Sequence, residues 1–235
     1  MNELLDFRTG IRESLPTVFG FIGISAAFGM IAKTAGLNIF LVVAISAIVF
    51  AGASQFAMIS MLAAHNSVGA IALAVFLINS RFILASVTVA PYFKEESYLR
   101  NALIGTYLTD ESFALGVNKL NFTGQKLTFE WYHAANLVAY FAWVFGTLLG
   151  ALLSGLITDP QKLGLGFAIT AMFIGLVYFQ LESDKGLSFK HQLAVIIFVF
   201  VAMYFGLIFI SPHMIILFVT ILACFFGMGV NRAFK

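Results

Sequence analysis

Charge is scarce in this chain. Of 235 residues, 10% are Asp, Glu, Lys or Arg, and 13 basic against 11 acidic side chains leave a net charge of +2. A soluble domain carries about a quarter charged residues. So small and dispersed a balance excludes a nucleic-acid surface. Cysteine is nearly missing too: Cys224 stands alone in the last apolar run, which excludes an internal disulfide and a multi-cysteine metal site and leaves it as inert packing. Of the four prolines, Pro16, Pro160 and Pro212 sit at or just before expected helix starts, where a missing N–H costs little, and Pro91 ends an apolar segment. Polar stretches are short as well. The longest, around 119–131 and 182–191, cannot hold a soluble domain. The opening "MNELLDFRTGIRESLP" has three acids, two arginines and no small-residue cleavage site after a short apolar core, so a cleaved signal peptide is not expected.

What fills the chain is apolar surface: 61% of residues are hydrophobic and the mean hydropathy is +0.98. No charged residue occurs over the 47 positions from Thr34 to Ser80, or over the 41 from His191 to Asn231. Each run is long enough for two transmembrane helices at roughly 20 residues apiece. The alternation of a membrane β-barrel is absent. The expectation is therefore an all-α, polytopic transmembrane helix bundle, one integral membrane domain over 1–235 with residues 1–13 as a cytoplasmic N-terminal segment. Eight apolar segments are expected, near Ser14–Ala32, Asn38–Leu62, Ser67–Ala90, Asn101–Val117, Tyr132–Ile157, Leu163–Leu181, Gln192–Ile210 and His213–Val230. A seven-span arrangement is the alternative.

Orientation follows from Lys and Arg in the connections. With the N-terminus cytoplasmic, the inner side collects Arg8, Arg12, Lys119, Lys126, Lys185, Lys190, Arg232 and Lys235, against Lys33, Lys94, Arg100 and Lys162 outside. Both termini are then cytoplasmic. Seven spans would move Arg232 and Lys235 across. Small residues at four-residue spacing, Ser25/Gly29 and Gly146/Gly150/Ser154, read as stripes for close helix packing in lipid. "AISAIVFAG" at 44–52 faintly echoes "AITAMFIGL" at 168–176, and internal repeats of this kind occur in transporters.

Against that background Arg81, in "LINSRFILAS", stands out. It lies 14 residues after Ser67 and 9 before Ala90, about 21 Å and 14 Å from the segment ends at ~1.5 Å per residue. A charge at that depth costs on the order of 2.5–3.5 kcal/mol even on the lenient insertion scale, and such residues face the bundle interior or water. Arg81 either clamps helices or belongs to a substrate or ion path. Asp110 and Glu111 in "NALIGTYLTDESFALGV" are its candidate partners. In one continuous helix Thr106, Asp110 and Phe113 share a face, with Tyr107, Glu111 and Ala114 on the next. One acid would neutralise Arg81 while the other binds an ammonium or carries a coupling proton; the alternative is that both sit at the interface. In "FAGASQF", residues 50–56, Gly52 with Ser54 and Gln55 marks a place where a helix can unwind inside the membrane, offering N–H groups to a carboxylate. The alternative is a continuous helix whose Gln55 bonds to a neighbour. Asn79, two residues before Arg81, joins the candidate site.

The four histidines, His65, His133, His191 and His213, show no metal-ligand spacing. No serine sits in a GxSxG elbow. No enzyme, metal or cofactor is implied.

In combination, "FAGASQFA" (50–57), "INSRF" (78–82), "AP" (90–91) and "LTDESFAL" (108–115) resemble the AzlC-like family of bacterial branched-chain amino acid permeases. "WVFGTLLGALL" and "LGLGFAITAMF" extend the resemblance, which is weakest after about residue 190. Phe82 departs from it, because many relatives have histidine after the arginine, and a proton relay at that position is in doubt. The resemblance implies a secondary transporter in the bacterial cytoplasmic membrane that exports leucine, isoleucine and valine, with methionine as a further candidate, and works with a small AzlD-like membrane subunit. The site expected for such a zwitterion comprises Gly52, Ser54, Gln55, Asn79, Arg81, Asp110 and Glu111, with Asp110 and Glu111 as proton-coupling candidates. The competing class is a non-transporting membrane scaffold or assembly subunit in which Arg81 and an acid form only a structural pair.

Overall fold

The structure is a computed structural model that describes residues 5–156, 188–210 and 212–233, with scattered positions between 167 and 181. The expected segment Leu163–Leu181 and the repeat partner 168–176 lie essentially outside the described residues. Helices make up the architecture: α1 (Phe7–Thr34), α2 (Ile39–Val49), α3 (Gly52–Ala63), α4 (Val68–Asn79), α5 (Arg81–Val89), α6 (Tyr98–Thr106), α7 (Asp110–Phe122), α8 (Phe129–Leu153), α9 (Phe189–Phe209) and α10 (Pro212–Ala233). Among the described residues, four stretches are long and apolar enough to cross a membrane: Phe7–Thr34, Val68–Phe93, Phe129–Leu153 and Phe189–Phe209.

Helix α1 starts at Phe7 because the Asp6 carboxylate accepts from the Thr9 N–H at 2.7 Å. Those hydrogen bonds also hold the exposed Asp6 carboxyl below its ordinary range. Pro16 is not at a helix start as expected but inside α1. On either side of it hydroxyls bond back to the helix, Ser14 Oγ donating to the Gly10 and Ile11 carbonyls and Thr17 to that of Ser14.

The spine of the bundle is α1 against α8. The expected small-residue stripes sit here. A Cβ on Gly29 would overlap the Thr147 carbonyl, one on Gly146 the Ser25 hydroxyl, and one on Gly150 the Ala26 backbone. Backbones this close make up in dispersion contacts what lipid does not supply as hydrophobic drive.

Two of the expected apolar segments turn back halfway. Along α2, Val42 packs with Ala32 and Ala151, Ser46 bonds Thr147 at 2.7 Å, and Phe50 meets the Trp143 level of α8. From there α3 retraces the path. Gly52 lies against Trp143, Phe56 stacks edge-on to Phe28 at 5.6 Å, and Ile59 rejoins the Val42 cluster. The hinge is Phe50, left-handed at φ 38° and ψ 48°, followed by extended Ala51.

The second hairpin enters from the other end. Helix α6 starts where Arg100 meets Glu130 at 3.3 Å and climbs to Tyr107, whose ring lies 5.1 Å from that of Tyr140. Helix α7 then descends past Tyr132 at Gly116 to Lys119 beside Trp131. Between the hairpins, α4, α5 and a 3-10 turn (Ala90–Phe93) form one apolar rod from Val68 to Phe93, in which the α-helix ends at Val89, just before Pro91 as expected.

This topology corrects two sequence expectations. Lys94 and Arg100 do not lie opposite Arg8, Arg12 and Lys126. Tyr92 Oη donates to Gln125 Oε1 at 3.3 Å and the Thr128 hydroxyl to the Leu5 carbonyl, which gathers all of them at one end of the bundle. Lys119 is not a loop charge but a buried residue of α7. A hydropathy profile registers that a segment is apolar, and two half-length helices in series read like one full span.

Candidate functional site

Both hairpin tips and Arg81 reach the same depth. Arg81 stands 13 residues after Val68 and 12 before Phe93, about 20 Å and 18 Å from the two ends of the rod. A recess opens where they converge. One wall is aromatic, from Phe21, Phe50, Phe82 and Trp143, and the other is polar, from the α3 start (Ala51, Gly52, Ala53) and the α7 start (Thr109, Asp110, Glu111).

The two helix starts differ in charge and capping. Helix α3 follows Ala51, which offers no side-chain cap. Gln55 N–H bonds the Ala51 carbonyl at 2.9 Å, so the N–H groups left without an intrahelical acceptor are those of Gly52, Ala53 and Ser54. Helix α7 is closed by a reciprocal capping box between Thr109 and Ser112 and carries Asp110 and Glu111 in its first turn. One tip thus presents bare donors with the positive end of a helix dipole, and the other presents two carboxylates stabilised by theirs.

Arg81 Nη2 lies 2.7 Å from Asp110 Oδ2, and the guanidinium stands 5.2 Å from the Phe82 ring centre. Asp110 is therefore the partner, while Glu111, turned about 100° away on α7, makes no ion pair among the described residues. The expected common face of Thr106, Asp110 and Phe113 does not exist, because 107–109 is not helical; the Thr106 hydroxyl bonds its own helix at Ala102.

Gly52, Asp110 and Glu111 line the recess, and Arg81 is tied to it through Asp110. Ser54 and Gln55 are buried behind it. Ser54 donates to the Ala51 carbonyl at 2.9 Å, and Gln55 Oε1 accepts from Trp143 Nε1 at 2.9 Å. The expected unwinding falls at Phe50–Ala51, so Gly52–Gln55 form the first turn of α3 instead of free backbone. Asn79 closes α4 with its Oδ1 buried and unpartnered among the described residues.

Sequence reading missed the α8 side of the site. Trp143 presses on Gly52, and Tyr140 reaches Phe50 and Tyr107, each at 5.1 Å, while donating to the Ala47 carbonyl at 3.1 Å. It also missed a second ion pair one level below: Lys119 Nζ lies 2.6 Å from both Glu13 oxygens, and Trp131 Nε1 donates to Glu13 Oε2 at 2.9 Å. The partners are far apart in sequence, so spacing held no signal. Among the described residues no cluster of His, Cys, Asp and Glu is arranged for a metal.

Comparison with known proteins places this geometry in a group. The model of the family described as AzlC protein matches residues 16–157, a stretch enclosing both hairpins and the rod between them. The chain belongs to the AzlC family. It is 31% identical over 185 residues to the inner membrane protein YgaZ of Escherichia coli, covering 77% of this chain and 76% of that one. An uncharacterized membrane protein of Archaeoglobus fulgidus is 37% identical over 174 residues, 73% and 74% of the two chains. The branched-chain amino acid transport protein AzlC of Bacillus subtilis is 23% identical over 184 residues, 76% and 69% of the two. No solved structure matches. AzlC is a membrane transport family, and α9 and α10 lie beyond the residues its model matches.

Proposed function

We propose that this AzlC-family chain is a secondary transporter that exports branched-chain amino acids, leucine, isoleucine and valine with methionine as a further candidate, across the bacterial cytoplasmic membrane. The observation that carries the reading is the asymmetry of the two hairpin tips. An amino acid zwitterion needs a donor set for its carboxylate and an acceptor set for its ammonium, side by side. The uncapped start of α3 and Arg81 supply the first, and Asp110 with Glu111 the second. The aromatic wall of Phe21, Phe50, Phe82 and Trp143 suits an apolar side chain.

Glu111, which makes no ion pair among the described residues, is assigned the coupling proton, while Asp110 alternates between Arg81 and the ammonium. The named relative from Bacillus subtilis supports the substrate class. A small AzlD-like subunit is proposed as partner, and α9, with no buried residue, leaves a face for it or for lipid. The basic end of the bundle, with Arg8, Arg12, Lys94, Arg100 and Lys126, is assigned to the cytoplasm.

The test is leucine efflux from cells preloaded with a leucine-containing dipeptide, expressing the chain with and without the candidate subunit. Efflux above that of empty cells is expected. Background efflux under both conditions, with the protein confirmed in the membrane, contradicts the reading.

A further inference from the structure

Asn136 of α8 is fully buried, and neither its Oδ1 nor its Nδ2 has a hydrogen-bond partner among the described residues. Buried amides without partners are rare, because their desolvation is uncompensated. At the same position a leucine would pack at no such cost.

Its surroundings point to the site. Residues three before and four after it on α8 share its face. These are His133 and Tyr140, and both touch Tyr107, with ring centres 6.1 Å and 5.1 Å away. The Tyr107 ring therefore spans the stretch of α8 that carries Asn136. Tyr107 belongs to the α6–α7 tip and meets Phe50, the tip of the other hairpin, at 6.5 Å. Trp143, seven residues along from Asn136, is a wall of the recess. Asn136 thus shares a face of α8 with Tyr140 and Trp143, and Tyr140 meets Phe50, which lines the recess with Trp143.

We propose that Asn136 is a substrate-contacting residue, uncovered when Tyr107 swings aside, whose Oδ1 accepts from the ammonium and whose Nδ2 donates to the carboxylate of a zwitterionic α-amino acid. The proposal rests on the transporter reading above. An amide sets an acceptor and a donor next to each other, which matches the donor and acceptor of the zwitterion. Being neutral, it adds no charge to compete with the Arg81–Asp110 pair. It therefore holds the substrate while that pair re-forms.

Two variants test it. Asn136→Leu removes both polar atoms; the expected result is a leucine KM raised roughly tenfold to a hundredfold, the worth of hydrogen bonds to charged groups, with maximal rate little changed and thermal stability equal or higher. Asn136→Cys, made with Cys224→Ser because Cys224 is exposed, keeps a small side chain; a small thiol reagent should label it, more slowly when leucine is present. An unchanged KM in the first variant, or in the second no labelling or labelling indifferent to leucine, overturns the assignment. Wild type run alongside separates the failures: efflux by wild type with an unchanged KM in Asn136→Leu removes only this role, whereas no efflux by wild type removes the transporter reading with it.

Discussion

Arg81 Nη2 stands 2.7 Å from Asp110 Oδ2, and this contact ties the central rod to the tip of the α6–α7 hairpin. A guanidinium and a carboxylate that neutralise one another at mid-depth are each left costly when the other is removed. Arg81→Ala and Asp110→Asn are therefore expected to abolish leucine efflux while the protein still inserts. Membrane fractions and efflux rates from the same cells check this.

Gly52 has no room for a side chain. A Cβ would come 2.9 Å from Trp143 Cη2, on an indole held in place by its bond to Gln55. Gly52→Ala should displace the indole into the recess and raise the leucine KM about tenfold or more, since steric misplacement in a site costs on that order. Gly20→Ala, where nothing lies within 4 Å, should leave transport unchanged. Kinetics of the two variants in proteoliposomes decide it.

The Glu13–Lys119 pair should behave as a structural latch. Lys119→Met leaves Glu13, whose side chain is 34% exposed, with its Trp131 bond but no countercharge, and a loss of about 1–3 kcal/mol is expected for a partly buried, hydrogen-bonded pair. The double variant Glu13→Gln with Lys119→Met should recover much of it. Thermal unfolding in detergent of the singles and the double gives the coupling. Additive losses would show that the two side chains do not depend on each other.

The α1–α8 spine sets the scaffold. Gly150→Leu drives a side chain into the Ala26 backbone, and a destabilisation of about 1–3 kcal/mol is expected from overpacking alone. Gly23→Leu, with open space around it, should be near neutral. Melting temperatures of the purified variants compare them.

How much of this was legible in the sequence depends on range. Arg81 declared itself, because a lone charge in an apolar run has few places to go. The break near Gly52 was visible in "FAGASQF" but fell two residues early, since Phe50 takes up the left-handed conformation that glycine usually would. The break before Asp110 also had a local signal: Thr109 with Ser112 three residues on and two acids between is a helix start. It was overridden by the hydropathy of the flanking residues. What no local pattern contained was the folding back of each hairpin, and with it the same-end grouping of Lys94, Arg100 and Lys126. The Glu13–Lys119 and Gln55–Trp143 contacts escaped for the same reason, since they join residues 106 and 88 positions apart.

The charge swap Arg81→Asp with Asp110→Arg, assayed for leucine efflux after membrane insertion and thermal stability are matched to wild type, separates a substrate site from a structural clamp. If the pair binds the substrate, the swap places a carboxylate where the substrate carboxylate must dock, and efflux falls to background. Efflux restored to near the wild-type rate by the swap, when each single variant has lost it, would contradict the account and leave Arg81 and Asp110 as a structural clamp.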